Sequence, residues 1–428
     1  MLWLYRLLFA PALVVLLPSY LRRMRRRGGY GRNFSQRFGF HRCPPRGPAP
    51  RVWLQAVSVG EMMALGPLLR ELHARGIEVY LTTTTSTGFR VAQDRHAGVV
   101  LGIGYFPLDW WPFSRLAWRR IAPDAAVIME GERWPEHLHQ ARRRKVRTVC
   151  INARLSERSF RRLRRFRPAA RLVLDGIDEL LASSAAEAAH FAALGFPAER
   201  LSVSGNLKFD VAIAPLSGAE KAALRRALGL PADSPVLVGA STWPGEEAAL
   251  VGALRAARAG GRRLALLIVP RHAERRDALA AELKATGLRV HFRTRGDAPG
   301  ADIDVAVADT TGELHRLLQL GDLVFVGKSL PPHTEGQTPV EAAALGRPLL
   351  FGPGMSNFRG LAPELLRRGA AREVGDAAAL AAAVCALLDA PEARAALAAQ
   401  AAAWHADNRG AAARAFAAIY RAVEAKGA

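Results

Sequence analysis

The sequence predicts an α/β protein made of two Rossmann-like, doubly wound domains facing a cleft. Short apolar runs alternate with amphipathic helical runs along most of the 428 residues, the pattern of parallel sheets covered by helices. The alternation falls into two series of similar size, the second beginning near Ala214, with no internal sequence repeat. The length also exceeds that of one ordinary domain.

The chain opens with Leu2–Leu21, apolar apart from Arg6. As a helix this stretch is ~30 Å long, about the hydrocarbon thickness of a bilayer. Trp3, Tyr5 and Tyr20 lie at its ends, where an aromatic belt forms, and Arg22, Arg23, Arg25, Arg26 and Arg27 follow. A cleaved signal peptide carries its charge before the apolar region, so this order predicts a retained membrane anchor with the following domain on the cytoplasmic side. Pro11, Pro18 and Arg6 leave an interfacial helix as the alternative to a spanning one. Residues 1–27 are therefore assigned to an anchor and its basic flank.

In the first domain, residues 28–210, the expected strands are Val52–Val57, Val79–Thr84, Ala125–Met129, Val146–Asn152, Glu179–Ser183 and Leu201–Ser204. Residues 211–400 form the second, with Val236–Ala240, Leu264–Val269, Val290–Arg293, Asp304–Ala308, Leu323–Val326 and Pro348–Phe351. Residues 401–428 are Ala-rich and are expected to form a helix packing back across both domains.

A formal net charge of +22 implies an anionic partner: nucleic acid, phospholipid headgroups or a phosphorylated substrate. A nucleic-acid binder is disfavoured, because aromatic and basic residues are not interleaved on a recognisable binding module. Cys43, Cys150 and Cys385 are far apart and suggest neither a disulfide framework nor a metal site. No Walker loop, G-x-G-x-x-G or H-E-x-x-H is present. Asp302-Ile303-Asp304 resembles a metal-holding acidic motif but precedes a strand, whereas ligand chemistry in such sheets follows strands. No metal is required by the remaining motifs.

The strongest chemical signal is Ser58-Val59-Gly60-Glu61, after the first strand. A carboxylate at that corner serves as a general base when burial tunes it, but Ser-x-x-Glu is also a capping box. Glu130 and Glu132 follow the Ala125–Met129 strand, and of two carboxylates at that strand end at most one is expected to point into the cleft. Lys208 lies at the domain junction, where it can meet an anion. Pro270-Arg271 follows another strand, a corner where an arginine fork suits phosphate. Thr310-Thr311-Gly312-Glu313 and Thr338-Pro339-Val340-Glu341 read as helix starts, with Thr338 as N-cap. Such ends bind phosphate through free N–H groups, and a nearby glutamate accepts from ribose hydroxyls.

Taken together with Thr82–Gly88, Asn152-Ala153-Arg154-Leu155-Ser156, Leu207-Lys208-Phe209-Asp210, Val269-Pro270-Arg271-His272, Gly312-Glu313-Leu314 and Pro339-x-Glu341-Ala342-Ala343, the chain resembles the Kdo transferases. These membrane-associated enzymes add 3-deoxy-D-manno-octulosonic acid (Kdo) to the lipid A precursor in lipopolysaccharide biosynthesis. The resemblance implies a glycosyltransferase-B fold, a CMP-Kdo donor, a lipid A precursor acceptor, no cofactor, and a bacterial inner-membrane location. It assigns Glu61 as general base and Glu130 and Lys208 as transition-state stabilisers. It places CMP against Pro270, Arg271, Thr311, Gly312, Glu313, Thr338, Pro339, Val340 and Glu341. Thr338 stands where the family usually has Asn, and Lys328 and Glu335 stand where it has glycines. A UDP-sugar-dependent transferase of the same fold is the alternative.

Overall fold

The computed structural model describes residues 1–26, 31–210, 213–298, 300 and 303–427. Arg27, Gly28, Val211 and Asp302 lie outside the described residues, as do the side chains of Tyr20, Arg23, Arg25 and Arg26. The chain divides into two compact units, Met1–Asp210 with Asn408–Ala428, and Val211–Asp407.

The first unit holds the strands β1 Arg51–Gln55, β2 Glu78–Thr83, β3 Gly102–Tyr105, β4 Ala125–Met129, β5 Arg147–Ala153, β6 Glu179–Ala182 and β7 Leu201–Val203. They form one sheet in the order β3-β2-β1-β4-β5-β6-β7, every neighbouring pair parallel. All five side chains of β4 are fully buried, as are Val52, Trp53 and Leu54 of β1. Covered on both faces, such strands show continuous apolar runs instead of alternation. The strand β3 has no such run. Its two glycines make room for Tyr80: a Cβ on Gly102 would lie 3.0 Å from the Tyr80 ring, and one on Gly104 2.8 Å from its hydroxyl.

The helix Ala411–Gly427 lays Ala411, Ala415, Ala418, Ile419 and Ala422 into this unit's core. The chain rejoins the first unit at Asn408, later than residue 401. Asp210 fastens the return by accepting from the backbone N–H groups of Gly410 and Ala412.

The second unit contains β8 Val236–Thr242, β9 Ala265–Pro270, β10 Val290–Phe292, β11 Val305–Val307, β12 Leu323–Val326, β13 Leu349–Phe351 and β14 Ala371–Glu373. Its sheet, in the order β10-β11-β9-β8-β12-β13-β14, is again parallel throughout. The edge strand β14 reads Ala-Arg-Glu and is half polar, so no apolar run marks it in the sequence. In each sheet the strand order reverses beside its first strand, between β1 and β4 and between β8 and β12. The carboxyl ends at such a switch point are where open α/β sheets bind ligands.

The helix α1, Leu2–Arg26, contains Pro11 and Pro18. Among the described residues no helix is long and apolar enough to cross a membrane, which corrects the spanning-anchor expectation. Two of its side chains are bonded to the first unit. Arg6 donates twice to Glu136, at 2.7 and 3.0 Å, and Tyr5 donates to Asp109 at 2.8 Å. Arg6 is thus a docking residue that ties α1 to the first unit. The Glu136 side chain is fully buried, so Arg6→Met would strand a buried carboxylate that, among the described residues, keeps only Gln140 as a side-chain donor. Losing one partner of such a pair is expected to cost about 3 kcal/mol, read as a lower denaturation midpoint. An unchanged midpoint would show that α1 is not docked through Arg6.

Candidate active site

The turn after β1 delivers Glu61 into α2, Val59–Ala64, with Ser58 as N-cap and a complete capping box. Ser58 Oγ accepts from the Glu61 N–H at 3.1 Å, and the Glu61 carboxylate accepts from the N–H groups of Val57 (2.9 Å) and Ser58 (3.2 Å). The cap therefore fixes the carboxylate instead of competing with a chemical role. Glu61 is buried, and desolvation raises its pKa above the ordinary carboxylate value. The nearby Glu130 adds to this, while the Val57 N–H and the Ser58 contacts oppose it.

Glu130 follows β4 in the left-handed region, with φ 52°. Its Oε1 accepts from Lys208 Nζ at 2.9 Å and from Asn152 Nδ2 at 3.1 Å. Asn152, also left-handed at φ 50°, uses its other side-chain atom, Oδ1, to accept from the Leu207 N–H at 3.1 Å. One side chain thereby holds both the glutamate and the segment carrying its lysine partner. The Lys208 stem passes over the Ser58–Glu61 turn, since a Cβ on Gly60 would lie 3.7 Å from Lys208 Cε. The structure thus gathers Glu61, Glu130 and Lys208 at the carboxyl ends of β1 and β4.

Glu132 also joins this group, against the expectation that only one of Glu130 and Glu132 faces it. Glu130 already lies beyond the strand in left-handed backbone, and the turn closed by the Glu132 N–H on the Met129 carbonyl lets both carboxylates reach the group. Glu132 accepts from Trp134 Nε1 at 2.8 Å and Gln55 Nε2 at 3.4 Å. Desolvation raises its pKa, the two hydrogen bonds oppose that, and the Glu61 charge adds to it. Glu132, Asn152 and Gln55 were not singled out from the sequence as site residues. The motif spacing around Glu130 and Asn152 was the available signal.

In the second unit, Pro270 ends β9 and Arg271 follows it, exposed. The Arg271 N–H donates to the Thr242 carbonyl at 3.1 Å, and among the described residues nothing pairs with its guanidinium. The predicted helix start at Thr310 is corrected. The helix spans only Leu314–Leu317, with Glu313 as N-cap, because Gly312 adopts φ +88° and Arg293 captures the Glu313 carboxylate through bonds of 2.7 and 2.9 Å. That pairing holds the Glu313 pKa below the usual range. Thr311 and Gly312 are exposed beside it. The second start shifts by one residue: Pro339 is N-cap of Val340–Ala344, and Thr338 Oγ1 accepts from the Val340 N–H at 3.2 Å. Both helices are too short for much of a macrodipole. Glu341 lies 3.9 Å from His315 Nε2, and its Oε2 is buried without a hydrogen-bond partner among the described residues.

A further group was missed at the β8/β12 switch point. The buried Glu246 accepts from four backbone N–H groups, those of Trp243 (2.9 Å), Lys328 (2.7 Å), Ser329 (2.8 Å) and Leu330 (3.1 Å). It clamps together the loops after β8 and β12. Lys328 is held over the Trp243 ring at 4.1 Å and 3.3 Å from Glu335, so Lys328 and Glu335 form an ion pair.

A family model described as "3-Deoxy-D-manno-octulosonic-acid transferase (kdotransferase)" matches residues 32–211. The 3-deoxy-D-manno-octulosonic acid transferase of Bordetella pertussis is 38% identical over 91% of this chain and 92% of its own. That of Haemophilus influenzae is 32% identical over 85% of each. A glycosyltransferase from Rickettsia africae shares the fold, with a TM-score of 0.59 at 12% identity over 88% of this chain and 99% of its own.

Proposed function

The chain belongs to the Kdo transferase family, and from that premise we propose that it transfers Kdo from CMP-Kdo to a sugar hydroxyl of a lipid A precursor, with inversion. The observation that carries the reading is Glu61: a buried carboxylate of raised pKa, fixed at a strand corner beside the Lys208–Glu130 pair. Glu61 takes the proton of the attacking hydroxyl as its oxygen bonds to the anomeric carbon of Kdo. The bond to the CMP phosphate breaks on the opposite face, and in-line displacement inverts the centre. Positive charge grows on the sugar ring and negative charge on the departing phosphate. Glu130 offsets the first, and Lys208 the second. No step requires a metal.

In the donor half, the free guanidinium of Arg271 suits the phosphate, and the unpartnered Oε2 of Glu341 suits a ribose hydroxyl. Arg271→Ala is expected to weaken CMP binding by about 1.5–3 kcal/mol. Equal affinity in calorimetry would make the arginine an ordinary surface charge.

The acceptor reading carries a location with it: the cytoplasmic face of the bacterial inner membrane, with α1 lying at the interface. Trp3, Leu7, Val14 and Val15 are exposed on α1, and the net charge of +22 favours an anionic surface, at about 1 kcal/mol per basic residue near it. Competition tests the donor: CMP should inhibit transfer and UDP should not. The reverse would favour a UDP-sugar transferase.

A further inference from the structure

A cavity of about 270 Å³ lies within the first unit, between α1 and the segments that leave the carboxyl ends of β2, β3 and β4. From α1 come Phe9, Leu13 and Leu16; from the segments opposite come Phe106, Leu108 and Trp134. Two charged residues reach its wall, and both are engaged. Arg37 donates to the Phe106 carbonyl. Asp109 accepts from Tyr5 Oη and from the N–H groups of Glu136 and His137, at 2.8–2.9 Å. The cavity therefore recognises hydrocarbon and gives a polar ligand little to bind.

Its two walls define the occupant further. On the α1 side Leu16 lines the cavity and is also 60% exposed, so the mouth opens onto the apolar outer row of α1. Opposite α1, Trp134 donates to Glu132, which feels the Glu61 charge, and Thr84 adjoins Thr85, which donates to the Val57 carbonyl at 2.8 Å. One wall thus belongs to an apolar surface and the other stands one residue from the candidate base.

We propose that this cavity binds an acyl chain of the acceptor glycolipid, entering past Leu16, so that the sugar hydroxyl is presented to Glu61. The inference rests on the glycolipid-acceptor reading above. A chain seated there gains with every methylene it buries and restricts the headgroup to the neighbourhood of the base, the positional advantage a bimolecular encounter lacks. It also gives α1 a binding role beyond attachment to a surface: docked by Arg6 and Tyr5, it forms the roof of the site.

The test uses the full chain in non-ionic detergent with two readouts. A fatty acid bearing a photoactivatable diazirine is crosslinked and the labelled peptides are identified by mass spectrometry. Separately, KM is measured for an acylated acceptor. Labelling should fall on peptides carrying cavity residues. Ala12 also lines the cavity, so Ala12→Trp fills it from α1, and Leu16→Asp places a charge at its mouth. Each should reduce labelling and raise KM for the acylated acceptor about tenfold, the loss when about two methylenes forfeit an apolar wall. Leu8→Asp, on α1 but outside the cavity lining, should match the parent in both. Labelling elsewhere, or parental labelling and KM in both cavity variants, would overturn the proposal. Cavity labelling without any transfer to an acylated acceptor would overturn the glycolipid reading and leave the hydrocarbon site standing.

Discussion

Glu61→Gln is expected to lower turnover by about 10²–10⁴-fold while the fold survives. The amide oxygen can still accept one of the two N–H groups now held by the carboxylate, those of Val57 and Ser58. The other is left facing an NH₂ group, a loss of about 1 kcal/mol. The pH dependence separates the chemical role from the capping role. Burial raises the Glu61 pKa, and a base acts only when deprotonated. Activity of the parent should therefore rise with pH along a limb displaced above the ordinary carboxylate range, and that limb should vanish from the residual activity of the variant. For stability the sign is opposite. A carboxyl with a raised folded-state pKa binds its proton more tightly when folded, so its contribution is present below the unfolded value and lost as pH rises through the folded one. Near-normal turnover in Glu61→Gln would reduce the residue to a cap.

Lys208→Met should cost about 10²–10³-fold in turnover, the range for losing one preorganised charged donor. The ion pair with Glu130 is partly exposed, at 36% for Lys208 and 20% for Glu130, so its contribution to stability is small. A large kinetic effect with a small thermal one is the expected signature. Lys208→Arg should recover part of the loss by restoring the charge. If Lys208→Met retains turnover within about threefold, the pair only fastens the segment after β7.

The sheets were legible because strands buried on both faces need continuous apolar runs, as β4, β9 and β12 display. The strands β3 and β14 were not, one because its glycines accommodate Tyr80 and the other because it is a short, half-polar edge. Within the candidate site, Glu61 announces itself through the Ser-x-x-Glu pattern, and Glu130 and Lys208 through the family resemblance. Glu132 and Asn152 do not announce themselves, because their placement depends on left-handed backbone at Glu130 and Asn152, which non-glycine residues do not advertise. The remaining misreadings share a cause: a partner distant in sequence decides the outcome. Glu313 looks like a capping residue until Arg293 takes its carboxylate. Arg6 looks like a blemish in a membrane span until Glu136, 130 residues later, is found beneath it. Patterns within one segment predict elements well and cross-segment ion pairs poorly.

The central claim is Kdo transfer with Glu61 as base, and product mass tests it most directly. Purified protein incubated with CMP-Kdo and lipid A precursor should release CMP and yield acceptor heavier by one or more Kdo residues, with that product nearly absent for Glu61→Gln under the same conditions. An unchanged acceptor mass from folded protein that binds CMP, or equal product from parent and Glu61→Gln, would contradict it.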